Sequence, residues 1–266
     1  MPVGVCPLCK KTTAIVDSHL IPKAVYNYCR PPDGHPIAVS SKFVGKTDRQ
    51  IHSYLLCSTC ENDLNSGGET WLLPLLAEYD GPFPFYDILN KTPPAIVHEK
   101  SALYGTANNP GILCDKLAHF ALGVFWKASV HSWSGSTKTP MIDLGPYREP
   151  VRAFLRKELP FPENVTLGIV VMPPPVKMTV LEQPYRGLEK KWHNFVFYIP
   201  GIRFVIGVGK STDTGSRSIC FMRHPARPIL VSDFSQSMYQ SIHKVLKDPR
   251  NAQRFEKLGR EVTRPS

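Results

Sequence analysis

The chain has no uninterrupted apolar run of about eighteen residues, so no membrane-spanning helix is read from it. Its start, Met1-Pro2-Val3-Gly4-Val5-Cys6, lacks the basic-then-apolar pattern of a secretion leader, and the expectation is a cytoplasmic protein. There is no internal repeat and no low-complexity tract, which argues against a solenoid or a disordered tail. A glycine-rich phosphate loop is missing too. Gly207-Val208-Gly209-Lys210 has neither the spacing nor the following helix of such a loop and reads as a strand end and turn. Acidic charge is scarce: 22 Asp and Glu stand against 32 Lys and Arg, a net charge of +10. That imbalance favours a polyanionic partner, and nucleic acid is the commonest one in a cytosol.

What is present begins with cysteine. Of seven cysteines, four form two Cys-x-x-Cys pairs, Cys6-Pro-Leu-Cys9 and Cys57-Ser-Thr-Cys60. The i, i+3 spacing lets one tight turn aim both sulfurs at one point, and two such pairs close a tetrahedral Zn²⁺ shell. In a reducing compartment paired cysteines are metal ligands rather than disulfides. Cys29, Cys114 and Cys220 are scattered and read as small buried hydrophobes. The long separation of the two pairs means that a segment leaves and returns between them, which favours a ββα arrangement over a short ribbon.

Hydrophobic residues make up 42% of the chain, enough to build a core, and 26 prolines predict many short elements. Asp17 to Ile21 reads as a strand stopped by Pro22, with Asp17 and His19 on one face and Ser18 and Leu20 on the other. His52 to Leu56 is a second strand, delivering the second cysteine pair. A helix follows through Leu64, with Gly67-Gly68 expected to interrupt it and Glu69 to restart it. Residues 80–111, rich in Pro, Gly, Asn and Thr, read as the connection between two domains, 1–92 and 93–266. Beyond it, a largely buried helix is expected over about 112–132 and a second over 147–159. Strands follow at 165–172, 194–199 and 203–208, the last two a hairpin about Pro200-Gly201, and then two C-terminal helices. The fold class is α+β: an N-terminal zinc-stapled ββα module followed by an α+β domain with a small, mainly antiparallel sheet.

The order Cys-x-x-Cys, then Ser18-His19-Leu20-Ile21-Pro22-Lys23, then Leu55-Leu56-Cys57-x-x-Cys60-Glu61 opening a helix, resembles the zinc-stapled HNH endonuclease family. The resemblance covers about residues 5–78. It implies metal-dependent hydrolysis of phosphodiester bonds in DNA, with His19 as the general base that activates water. An imidazole suits that task because its ordinary pKa lies near neutrality. The residue before the strand histidine is usually an acidic metal ligand in that family, whereas here it is Ser18, so a carboxylate must come from elsewhere. The family's middle polar position falls on His52, and the helix position after the last cysteine is Glu61. A catalytic Mg²⁺ or Mn²⁺ would then be held by Glu61 with His52 or Asp17, while Asp63 and Glu69 are further acidic candidates. The remaining histidines, His35, His98, His119, His131, His193, His224 and His243, show no ligand spacing.

The basic residues are dispersed: Lys42, Lys46 and Arg49 lie between the cysteine pairs, and Arg250, Arg254, Lys257 and Arg260 near the C-terminus. Arg148, Arg152 and Arg156, spaced i, i+4, i+8, form one stripe, which reads either as a phosphate-contacting face or as an ordinary solvated one. Two other readings stand beside hydrolysis. One is a zinc-dependent nucleic-acid-binding protein without chemistry, which Ser18 favours. The other is a regulatory or protein-interaction module with a structural zinc site. The sequence sets no oligomeric state.

Overall fold

A computed structural model describes residues 1–31, 34–39, 44–133, 140–174, 179–187, 193–209 and 220–262. Lys42, Lys210 and the side chain of Arg260 lie outside the described residues. The chain is a mixture of helix and sheet, compatible with the α+β class.

The N-terminal part is made of three short two-stranded ribbons. Strands β1 (Val3–Val5) and β2 (Thr12–Ala14) pair antiparallel across the first cysteine turn. Strand β3 (Val16–His19) leads to a helical turn, α1 (Val25–Tyr28), and then to the hairpin β4 (Ile37–Val39) and β5 (Val44–Lys46). Strand β6 (His52–Leu56) returns antiparallel to β3, with His19 opposite His52 and Ser18 opposite Ser53. Helix α2 (Ser58–Leu64) opens directly after Cys57.

The expected break at Gly67-Gly68 does not occur. The helix widens into a π turn at Asn65–Glu69, continues as α3 (Thr70–Leu72) and tightens at Leu73–Leu75. The glycines serve close approach instead. A Cβ on Gly67 would fall 2.4 Å from the His119 ring, and one on Gly68 would fall 2.4 Å from the Lys116 carbonyl oxygen. Both neighbours belong to α5 (Cys114–Val130), which packs against the π turn. Every residue of α5 from Leu117 to Ser129 is buried, so this helix is enclosed on all sides.

Residues 80–111 are more than a connection. They carry α4 (Pro84–Leu89) and the hairpin β7 (Ile96–His98) and β8 (Ser101–Gly105). Helix α6 (Arg148–Leu155) follows α5. Then come β9 (Val165–Val171), β10 (Glu182–Arg186), β11 (His193–Ile199), β12 (Ile202–Val208) and β13 (Pro228–Ser232). Helices α7 (Ser235–Leu246) and α8 (Pro249–Val262) end the described chain.

The main sheet has seven strands in the order β10-β11-β12-β9-β13-β8-β7, all antiparallel except β9 with β13. Four of these strands were not expected from sequence: β7, β8, β10 and β13. At the β11–β12 turn Gly201 holds φ +81°, a conformation that glycine adopts without steric cost. One hydrophobic core spans both ends of the chain, joining Leu8, Leu20 and Leu56 through α5 to Phe197 and Phe204. Phe125 meets Phe197 edge-on at 4.8 Å, and Phe197 stacks on Phe204 at 4.9 Å.

Candidate metal centre and histidine face

The cysteines converge. The turn between β1 and β2 carries Cys6 and Cys9; Cys57 precedes α2 and Cys60 lies in its first turn. Their four sulfurs all lie within 4.8 Å of one another, and Cys9 Sγ is 3.9 Å from Cys57 Sγ. A Zn–S bond of about 2.3 Å in a tetrahedral shell requires a sulfur–sulfur edge of about 3.8 Å. The tetrad therefore fits a metal ion such as zinc. Burial pushes the Cys6 and Cys60 thiols up from their ordinary pKa. At Cys9 burial acts in the same sense, but the Lys11 backbone N–H and the neighbouring thiols outweigh it and the pKa falls. An ion bound here would displace the remaining thiol protons, so its affinity would rise with pH.

The β3–β6 ribbon beside the tetrad has two faces. Asp17, His19, His52 and Tyr54 share the outer one. The Asp17 carboxylate accepts a hydrogen bond from His52 Nδ1 at 2.8 Å, which places that ring's proton on Nδ1. The His19 and His52 rings stack with centroids 5.4 Å apart. His19 Nε2 lies 3.0 Å from Gln50 Oε1; with that oxygen as acceptor, Nε2 carries the proton and Nδ1 keeps its lone pair. Partial burial holds the His19 pKa below the usual imidazole value, and the Gln50 hydrogen bond and the Asp17 charge offset part of that shift.

Ser18 and Ser53 share the inner face. Ser18 is fully buried; its hydroxyl donates to Glu61 Oε2 at 2.7 Å and accepts the Leu56 N–H at 3.3 Å. Ser53 meets His131 Nε2 at 2.8 Å. Deeper in, Lys127 of α5 donates to the His19 carbonyl oxygen at 2.8 Å and lies 3.6 Å from Glu69 Oε1. Burial raises the Glu69 pKa, and the Lys127 charge counters it in part.

The predicted site residues thus divide. Asp17, His19 and His52 come together on one face, while Glu61 is bound to Ser18 on the other. Among the described residues the cysteine tetrad is the only group of three or more His, Cys, Asp or Glu whose ligand atoms gather within 4.8 Å. Of the residues expected to hold Mg²⁺ or Mn²⁺, Asp17 and His52 are bonded to each other on the outer face, and Glu61 is bonded to Ser18 on the inner one. Asp63 is engaged by Arg156 at 2.7 Å, and Glu69 by Lys127.

The arginine stripe is also engaged within the protein. Arg152 donates to the Leu8 carbonyl, inside the first cysteine turn, at 2.9 Å and pairs with Glu149 and Glu158. Arg156 binds Asp63 of α2, and Arg148 binds Asp143. With the exposed Lys10–Glu149 pair, these contacts fasten α6 to the cysteine module. The i, i+4 spacing placed the arginines on one face, but that face meets protein.

Sequence reasoning missed Lys127, Gln50 and the Ser53–His131 contact. Lys127 did carry a signal. It is a single charge in the otherwise apolar run Ala121 to Ala128, and a charge inside a buried helix must have a partner. Comparison with protein-family models, with characterised proteins and with solved structures returns no match for this chain.

Proposed function

We propose that this chain hydrolyses phosphodiester bonds in DNA on an HNH-like, zinc-stapled ribbon, with His19 as the general base. The observation that carries the reading is the setting of His19: a half-buried imidazole whose pKa burial lowers, bonded through Nε2 to Gln50 and with Nδ1 unpartnered among the described residues. Such a nitrogen takes a proton from water as the oxygen attacks phosphorus.

Charge supports the substrate class. Helix α8, which carries exposed Arg254 and Lys257 and an Arg250 paired with Asp248, packs on β5, which carries Lys46. Two basic segments far apart in sequence thereby lie together, and such a patch contacts phosphates without reading bases.

The test is nicking of supercoiled plasmid, with single-stranded RNA as a parallel substrate, by zinc-loaded protein with Mg²⁺, with Mn²⁺ and without either. His19→Ala is expected to lower the rate by about 10²-fold or more while zinc content and melting temperature hold. Equal cleavage by the variant removes His19 from the mechanism. A second reading, binding of nucleic acid without hydrolysis, is favoured by Ser18 at the acidic position and by the engagement of Glu61 with it. Salt-dependent binding with no nicking under any ion condition would select it.

A further inference from the structure

The inner side of the ribbon contains hard oxygen donors and one cation. The donors are the His19 carbonyl, the Glu69 carboxylate from the π turn, the Ser18 hydroxyl and the Glu61 carboxylate bound to it. Of the two carboxylates, Glu61 is held by the Ser18 hydroxyl, whereas Glu69 lies 3.6 Å from the Lys127 ammonium. A carboxylate largely withdrawn from water, as Glu69 is, requires a positive charge, and carboxylate and carbonyl oxygens ordinarily receive a hard divalent ion. Here the positive charge is Lys127, whose side chain is 1% exposed. It enters from α5, a helix that also packs on the π turn through the paired glycines.

We infer that the Lys127 ammonium is the resident cation between the His19 carbonyl and Glu69, standing where a bound divalent ion would otherwise neutralise Glu69. The failure of Asp17, His52 and Glu61 to form a ligand set then has a physical reason. Glu69 faces a positive charge supplied by the chain and Glu61 is held by Ser18, so the outer histidine pair is left without an acid from the helix. Lys127 is a positioning residue. By donating to the His19 carbonyl it fixes the end of β3, from which the imidazole projects to the opposite face. Its bearing on hydrolysis rests on the role proposed for His19, whereas its place as a cation does not.

The experiment uses zinc-loaded, full-length protein without nucleic acid and follows free Mn²⁺ by electron paramagnetic resonance. Wild-type protein is expected to leave Mn²⁺ free. Lys127→Met keeps length and shape but removes the charge, and is expected to bind Mn²⁺ at least about tenfold tighter. Adding Glu69→Gln to that variant should abolish the gain. A folded Lys127→Met protein with no gain overturns the inference, as does wild-type protein that binds Mn²⁺ through Glu69. Should the variant not fold, the wild type decides alone by nitrogen-15 resonance of its lysine side chains. Lys127 is expected as a slowly exchanging ammonium at neutral pH, and a neutral amine there overturns the inference. Absence of nicking alongside the expected Mn²⁺ result would remove the hydrolytic reading and leave the resident cation standing.

Discussion

The two β regions of this molecule hold their strands by different means. In the seven-stranded sheet, β9, β11 and β12 each run seven residues and bury aromatic and β-branched side chains against α5. The N-terminal ribbons have strands of three to five residues, and an isolated two-stranded ribbon is at best marginally stable in water. They are held from outside: by the cysteine tetrad, by Arg152 on the Leu8 carbonyl, by Arg156 on Asp63 and by Lys127 on the His19 carbonyl. The ribbons also give Leu8, Leu20 and Leu56 to the shared core, but their short strands depend more on these attachments than the sheet does, and they present the histidine face on a thin surface.

Metal removal should break this contrast most strongly. Free energies of about 10–16 kcal/mol have been associated with structural zinc in small domains, where metal binding is folding. Cys60→Ser, or chelation of the wild type, is expected to speed amide hydrogen exchange throughout residues 3–21 and 52–64. Residues 165–171 and 202–208 of the sheet should stay protected. Hydrogen exchange followed by mass spectrometry measures both at once. Simultaneous loss of protection in the sheet would show that the shared core makes the two regions one cooperative unit, and the contrast would fall.

A smaller effect is expected at the π turn, where the two regions meet. Alanine in place of glycine within a helix ordinarily stabilises by about 1 kcal/mol. At Gly68 the added methyl would meet the Lys116 carbonyl oxygen at 2.4 Å and Phe120 Cβ at 2.8 Å, and neither is the far end of a flexible side chain. Overpacking of this kind costs about 1–3 kcal/mol, so Gly68→Ala should lower stability in urea denaturation. A stabilised variant would mean that α5 is free to move away from the ribbon.

The parts legible from sequence were those whose signals are local. The cysteine spacing within each turn, the apolar run of α5 and the Pro200-Gly201 hairpin each lie within a few residues, and each was found. What was not legible depends on partners far along the chain. Lys127 and His19 are separated by 108 positions, and Arg152 and Leu8 by 144. Spacing shows that Arg148, Arg152 and Arg156 share a face, but not whether that face meets water. Gly67-Gly68 has the composition of a helix break, and only the packed α5 shows its use. Strands β10 and β13 escaped because each contains proline and lacks clear alternation, Pro184 in one and Pro228 at the start of the other.

Acid should separate the two regions most gently. His19, His119 and His131 all have pKa values held below 6.5, in each case chiefly by burial, and all three lie where the ribbon and α2 meet α5 and α6. As pH falls below about 6.5 the unfolded chain takes up protons that the folded rings resist. The unfolded state then binds more protons, so stability falls with falling pH until the folded pKa values are reached. Glu69 and Glu182, raised by burial, act in the opposite sense at lower pH. His119 should dominate, because it is the most buried of the three rings and its Nε2 is committed to the Leu155 carbonyl at 3.0 Å. The expected result is a urea midpoint that declines between pH 7 and 5.5 in zinc-loaded protein, with a shallower decline in His119→Asn. Zinc content measured on the same samples separates this from protonation of the cysteines, which would release metal over the same range. A decline equally steep in the variant, at constant zinc, would remove His119 as its source.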